Sequence, residues 1–335
     1  MFAAGYELAQ LERLIQIQGQ RLRAQILAQL PGPASPLPLH AIELGTDKPG
    51  LPTVLFVGGV HGLERIGTQI LLTFLGSLMQ RLGWDPHLQA MLSGLRLAFV
   101  PLVNPQGMAM GRRANANGVD LMRNAPLEGD RVTPWVGGQR LSARLPWFRG
   151  HGQLEIETRA LTDYCRELRN KSSLLLVLDA HSGFGLEDHL WFPYACHHRP
   201  GREIARIFRF WQLFEDSYSH HCHYHCGPQS AVYRTHGDIW DWLSQDDSPV
   251  PLLPFTLEMG SWAWVRKNPR QLFNFAGLFN PQKQHRHHRI LRRHTILMQF
   301  MLELAHSRLL EQLSPAELTG FREQGVKLWY PELLP

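Results

Sequence analysis

The stretch Val57-Gly-Gly-Val-His-Gly-Leu-Glu64 constrains this chain more than any other. It follows an apolar run, Thr53-Val-Leu-Phe-Val57, that reads as a buried strand. It precedes Ile66, Ile70, Leu71, Phe74, Leu75, Leu78 and Leu82, which recur on one face of a helix. A buried strand, a tight turn and an amphipathic helix open an α/β unit. The turn also carries His61 and Glu64, and an imidazole and a carboxylate at that spacing can share one Zn²⁺ ion. Spacing alone is weak evidence, because His40-Ala-Ile-Glu43 repeats it without an assigned role. Position and company separate the two pairs.

The rest of the chain continues the α/β alternation. His40–Leu44, Leu95–Val100, Leu174–Leu178 and Pro254–Leu257 read as strands, and 217–234 contains strand-like alternation. Leu154–Arg169, Arg202–Phe214 and Ile296–Leu309 read as helices. Residues 1–30 carry Leu8, Leu11, Leu14, Ile15, Leu22, Ile26, Leu27 and Leu30 at helical spacing, and a Pro-rich break follows at 31–38. Ser314-Pro-Ala-Glu317 is a capping box with Pro at the first helical position, so a terminal helix follows. The expected architecture is a single α/β domain with a mixed, mostly parallel sheet flanked by helices. It divides into a helical lead-in at 1–38, a catalytic domain at 39–310 and a helical tail at 311–335. Residues 108–153 lack periodicity, and a loop that long inside a domain is usually functional.

Composition narrows the field. The charge of +5 is mild, and without a concentrated basic patch it does not predict a nucleic-acid partner. No segment approaches the roughly 18 apolar residues of a membrane span. Four cysteines in 335 residues do not make a disulfide framework. A cytoplasmic location is the expectation.

Ligands of open α/β sheets bind beyond the carboxyl ends of the strands. His61 and Glu64 follow the strand ending at Val57, His181 follows Leu178, and Glu258 follows Leu257. Two His and one Glu form a known catalytic zinc set that leaves a position for water, and the second Glu is free to act as a base.

Six segments then resemble the zinc carboxypeptidases, in that family's order. They are His61-Gly-Leu-Glu64, Asn104-Pro-Gln-Gly107, Gly118-Val-Asp-Leu-Met-Arg-Asn124, Glu157-Thr-Arg-Ala160, His181-Ser182 and Phe255-Thr-Leu-Glu258. The resemblance implies one Zn²⁺ on His61, Glu64 and His181, with Glu258 taking a proton from water and passing it to the leaving amine. It implies that Arg113, or its neighbour Arg112, stabilises the oxyanion, and that Arg123 holds a substrate carboxylate. Asp120 would orient a zinc-bound His, with His61 the expected one. The implied activity is hydrolysis of the C-terminal peptide bond. Its rivals are an N-acyl amino acid amidohydrolase similar to the aspartoacylase and succinylglutamate desuccinylase branch, and an inactive binding protein of the same fold. The substrate would be a peptide or acyl-amino acid with a free carboxylate.

Two departures accompany the resemblance. Met122 stands where the family has Asn, and Asp241-Trp-Leu-Ser244 lacks the Tyr expected after its Asp-Trp pair. Three features stay outside the motifs. His220-His-Cys-His-Tyr-His-Cys226 would place His221, His223 and His225 on one strand face, but lacks structural-zinc spacing. Lys283-Gln-His-Arg-His-His-Arg289, with Arg292 and Arg293, reads as a solvated surface before the last large helix or a polyanion site. Trp240, Trp242, Trp262 and Trp264 flank Glu258 and suit either the pocket or the core.

Overall fold

Apolar side chains alternate between two cores along the central strands. Val54 and Phe56 face one core, while Leu55 and Val57 face the other. Leu97 and Phe99 oppose Ala98 and Val100 in the same way, as do Leu176 and Leu178 against Leu175 and Val177. Period-two burial on both faces requires helices above and below the sheet. The computed structural model describes residues 5–19, 21–32 and 35–334.

Eight strands form one sheet among the described residues: β1 (Arg23–Leu30), β2 (Leu37–Gly45), β3 (Leu51–Gly58), β4 (Arg96–Val100), β5 (Ser172–Ser182), β6 (Asp188–Phe192), β7 (Tyr224–Pro228) and β8 (Leu252–Met259). Their order is β1-β2-β4-β3-β5-β8-β6-β7. The central β4, β3, β5 and β8 run parallel. β1 and β2 add antiparallel pairs at one edge, and β6 joins β8 antiparallel with β7 parallel beyond it. The helices are α1 (Tyr6–Gln18), α2 (Arg65–Arg81), α3 (Pro86–Ser93), α4 (Pro105–Met110), α5 (Ile156–Lys171), α6 (Ile204–Ser217), α7 (Ile239–Ser244), α8 (Trp262–Lys267), α9 (Gln284–Ser307) and α10 (Pro315–Trp329). α2, α6 and α9 cover one face, and α5 and α7 cover the other. No helix of the described residues is long and apolar enough to cross a membrane. The mixed sheet flanked by helices is the expected fold class.

Three expectations need correction. The helical spacing read across residues 1–30 holds only for α1; residues 23–30 are the edge strand β1, paired with β2. β2 leaves a row of backbone groups to satisfy, and pairing outweighs the local helical pattern of Leu22 to Leu30. Residues 1–4, 20, 33 and 34 of those N-terminal segments lie outside the described residues. The basic run at 283–293 does not precede the last large helix but forms its first turns, since α9 begins at Gln284. Of the alternating stretch 217–234, only Tyr224–Pro228 is strand.

The capping box at Ser314 is present, and α10 docks rather than trailing free. Trp329 packs on Phe192 at 4.7 Å between ring centroids, and its indole N–H donates to the Cys226 carbonyl at 2.9 Å.

Candidate active site

The turn after β3 is built by close approach. A Cβ on Gly62 would lie 2.1 Å from the backbone of Gly107, so only glycine lets the His61 turn meet the following loop. That loop is Asn104-Pro-Gln-Gly107. Asn104 caps α4 by accepting from Gly107 N at 2.7 Å, and its amide donates to the Val60 carbonyl at 3.3 Å. Asn280 fixes the other side, donating to the Leu63 carbonyl at 2.7 Å and accepting from Ile66 N at 3.0 Å. Glu64 thus sits at the start of α2 with its carboxylate directed toward β5, where Ser182 N donates to it at 3.1 Å.

His61, Glu64 and His181 converge. Their candidate ligand atoms all lie within 4.8 Å of one another, and the three residues are buried. His61 Nδ1 lies 2.9 Å from Glu64 Oε1, and His181 Nδ1 lies 2.9 Å from Glu64 Oε2. The two Nδ1 atoms are 3.1 Å apart. Each ring has a carboxylate behind it. His61 Nε2 lies 3.0 Å from Asp120 Oδ1. His181 Nε2 lies 2.9 Å from Asp179 Oδ2, at ion-pair distance but not aligned for a hydrogen bond. The Trp240 indole donates to the same Asp179 oxygen at 2.9 Å. A carboxylate behind the far nitrogen fixes the tautomer that leaves Nδ1 as a lone-pair donor, which is the usual support for a metal-bound His.

Glu64, Asp120, Asp179 and Glu258 gather here, and Arg113 is the cation paired with Glu64 and Asp120. In the metal-free protein burial alone would raise the Glu64 carboxyl, but the charge on His61 and hydrogen bonds from both protonated histidines hold it well below the usual range. Burial would lower His181, yet Asp179 and Glu64 hold it well above an ordinary histidine. Asp120 is held well below the carboxylate range, because Arg113 and His61 outweigh its burial. Two imidazoles and one carboxylate suit Zn²⁺.

Glu258 is on β8, in register with His181 on β5. Its carboxyl is pushed up to about 8, first by burial and then by the nearby Glu64 charge. Phe184 N donates to its Oε1 at 3.1 Å. Glu258, His61, His181, Arg113 and Arg123 line one cavity of about 330 Å³. Its walls are Met122, Val136, Trp147, Phe184, Trp191 and Tyr233, among others.

Arg123 reaches this cavity from a pinned turn. Asp120 accepts from Met122 N at 3.1 Å and closes a single 3-10 turn at Leu121–Arg123. Asn124 then bonds the carbonyls of Arg149 and Gln153 at 3.1 and 3.0 Å. Arg123 is 3% exposed. It donates to the Val136 and Met122 carbonyls at 3.3 and 3.2 Å and lies over the Tyr233 ring at 5.9 Å. No carboxylate of the described residues forms an ion pair with it. Its charge acts on Asp120 and Asp238 only from beyond contact distance, and a buried guanidinium without a contacting carboxylate suits a ligand of opposite sign. Arg113 is more committed, donating to Asp120 Oδ2 at 2.9 Å and to Glu64 Oε1 at 3.0 Å.

With this geometry in view, comparison with known proteins is decisive: the profile described as zinc carboxypeptidase matches residues 34–275. The chain belongs to the zinc carboxypeptidase family. It is 32% identical over 180 residues to carboxypeptidase SOL1 of Arabidopsis thaliana. That match covers 51% of this chain and 33% of the relative, so the chain spans about a third of that protein's length. Carboxypeptidase A of Helicoverpa armigera superimposes with a TM-score of 0.66 at 16% identity, over 94% of this chain and 74% of the other. Bovine thrombin-activatable fibrinolysis inhibitor, in complex with tick carboxypeptidase inhibitor, gives 0.66 at 15% identity, over 92% and 98%. At those identities the two structures show the shared fold alone.

Within this family's fold, the chain brings together all seven residues singled out from its sequence: His61, Glu64, His181, Glu258, Arg113, Arg123 and Asp120. Met122 lines the pocket where the family has Asn. No Tyr follows the Asp-Trp pair, but Tyr233, before it, lines the cavity beside Arg123. Asp179 was within reach of the sequence, since strand periodicity puts it on the same face as His181. Phe184, Trp147 and Trp191 come from loops and from the short β6, and no spacing announces them. Trp240 holds Asp179, Trp242 lies under the Arg166 guanidinium at 4.3 Å, and Trp264 is core. Trp262 is 46% exposed and donates to the Gly183 carbonyl at 3.1 Å, so none of those four lines the pocket.

Of the His220–Cys226 stretch, His223 and His225 line one cavity, but the described residues form no group of three metal donors there. His221 is buried with Nε2 at 3.1 Å from the Arg293 carbonyl, while His225 pairs with Glu187 at 2.7 Å.

Proposed function

We propose that this chain is a zinc-dependent carboxypeptidase that hydrolyses the C-terminal peptide bond of a peptide. The observation that carries the reading is Arg123, a buried guanidinium without an ion-pair partner among the described residues, in the same cavity as Glu258, His61 and His181. A peptide's terminal carboxylate is the planar, two-oxygen anion that such a fork recognises.

In this reading His61, Glu64 and His181 hold one zinc ion, with Asp120 and Asp179 fixing the two rings. When bound, zinc supplies a Lewis acid for the scissile carbonyl and makes water acidic enough to attack near neutral pH. Glu258 takes the proton from the attacking water and returns it to the departing amine. Its burial raises its basicity, which suits a base that must also act as an acid. Arg113 places a positive charge beside the carbonyl oxygen as it becomes negative. Arg123, with Tyr233 beside it, holds the terminal carboxylate and so selects the C-terminal peptide bond for cleavage.

A substrate panel read by mass spectrometry tests this. Peptides with free C-termini should lose one residue, and the same peptides amidated should not. Equal cleavage of amidated peptides would overturn the exopeptidase reading and the role of Arg123. Cleavage of N-acyl amino acids alone would favour an amidohydrolase, and turnover of none of them would favour a binding protein.

A further inference from the structure

Two sequence features without a place in the proposed reaction meet in space. The His220–Cys226 stretch and the first turns of α9 line one cavity of about 510 Å³. His223 and His225, Arg289 and Arg293 of α9, and Lys267 at the end of α8 all contribute to its lining. The cavity shares no lining residue with the candidate active site.

Its charge is one-sided. Lys267, Arg286, Arg289 and Arg293 are permanent cations, and the lining carboxylates are Glu187 and Asp188. Both carboxylates are engaged. Glu187 lies 2.7 Å from His225 Nε2, and Asp188 accepts from Arg293 at 2.6 Å and from Gly260 N at 2.9 Å. Arg286 is turned onto the Trp264 carbonyl at 2.9 Å. Lys267 and Arg289 remain exposed, with no ion pair among the described residues.

The surrounding sequence makes the same point independently. No Asp or Glu occurs between Glu258 and Glu303, while that interval holds eight of the chain's 34 basic residues. Like charges held around one concavity repel unless an anion intervenes, and a concave, low-dielectric wall strengthens the field. A metal ion is the wrong occupant. The histidines face four cations, and the described residues form no group of three metal donors here. Cations converging from α8 and α9 match an anion with several acceptor oxygens and more than one charge.

We propose that this cavity binds a phosphate-bearing ligand, separately from the candidate catalytic centre. Inorganic pyrophosphate is the probe, titrated into the zinc-loaded full chain by calorimetry at fixed ionic strength. The Lys267→Ala/Arg289→Ala pair is compared with Arg270→Ala/Arg292→Ala, which removes the same charge from exposed positions outside the cavity. All four side chains are exposed, so both variants should keep the wild-type melting temperature. The expected result is at least tenfold weaker binding in the cavity pair and less than a twofold change in the other. Equal weakening in both would reduce the effect to net charge and overturn the proposal. No weakening in either would move the pyrophosphate to the catalytic centre and overturn it too, as would no binding by the wild type. Co-sedimentation with phosphatidylglycerol and phosphatidylcholine vesicles identifies the source. Retention on the former that the cavity pair abolishes marks a lipid headgroup, and pyrophosphate binding without retention marks a soluble phosphate.

Discussion

Replacing Arg123 by Ala separates carboxylate recognition from the rest of the chemistry. Arg123 is 3% exposed, so an ion pair with a substrate carboxylate would form almost without water. Truncating one partner of such a buried pair costs about 2–5 kcal/mol, a loss of roughly 30- to 5000-fold in kcat/KM for a peptide with a free C-terminus. An amidated or otherwise neutral terminus never makes the pair, so any residual turnover of it should change by less than about threefold. The fold should tolerate the change. Arg123 donates to two backbone carbonyls, at 3.3 and 3.2 Å, worth about 1 kcal/mol each. Removing an unpaired buried charge acts in the opposite direction. Arg123→Lys keeps the charge but not the fork, and should fall between wild type and Ala. The assay is kcat/KM on matched free-acid and amide peptides, with zinc content measured on the same preparations. An equal loss on both peptides, with zinc retained, would refute the carboxylate role.

Further outcomes follow from the same geometry. Glu258→Gln should retain zinc and fold while losing roughly 3 kcal/mol or more of transition-state stabilisation, and unchanged turnover would put the base elsewhere. Asp120→Asn takes the carboxylate from His61 Nε2 and should weaken zinc affinity about 10- to 100-fold by chelator competition. Unchanged affinity would remove its orienting role. In metal-free protein the Glu258 carboxyl is raised from 4.5 to about 8, so between those values the native state holds a proton that the unfolded chain has released. Stability should therefore fall as pH rises through that window, by up to about 1.4 kcal/mol per pH unit from this group. Denaturant titrations of metal-free protein from pH 5 to 8 should show the decline blunted in Glu258→Gln, and identical slopes would contradict it. A bound dication favours the carboxylate, so the acid limb of kcat/KM against pH should lie below 8.

The metal-site candidates were legible because each is tied to a strand end. His61, Glu64, His181 and Glu258 follow apolar runs that can hardly be anything but central strands, and sheet topology brings strand ends together. Arg113, Asp120 and Arg123 needed the family resemblance, since they lie in a loop without periodicity. The pocket walls were hidden for the same reason. Trp147 and Phe184 reach the site through irregular backbone. Trp191 rides on β6, five residues whose polar start masks a strand. β1 was misread because Leu22, Ile26, Leu27 and Leu30 suit a helix locally, while the unpaired edge of β2 decides the matter tertiarily. The basic run at 283–293 read as surface, and only the fold shows that it lines one cavity with His223 and His225.

The central claim is that His61, Glu64 and His181 together hold the ion on which hydrolysis depends. Metal analysis by mass spectrometry of purified wild type and His181→Ala, side by side, tests it most directly. About one zinc per chain is expected in the wild type, and none above background in the variant. Stoichiometric zinc in folded His181→Ala would contradict the account.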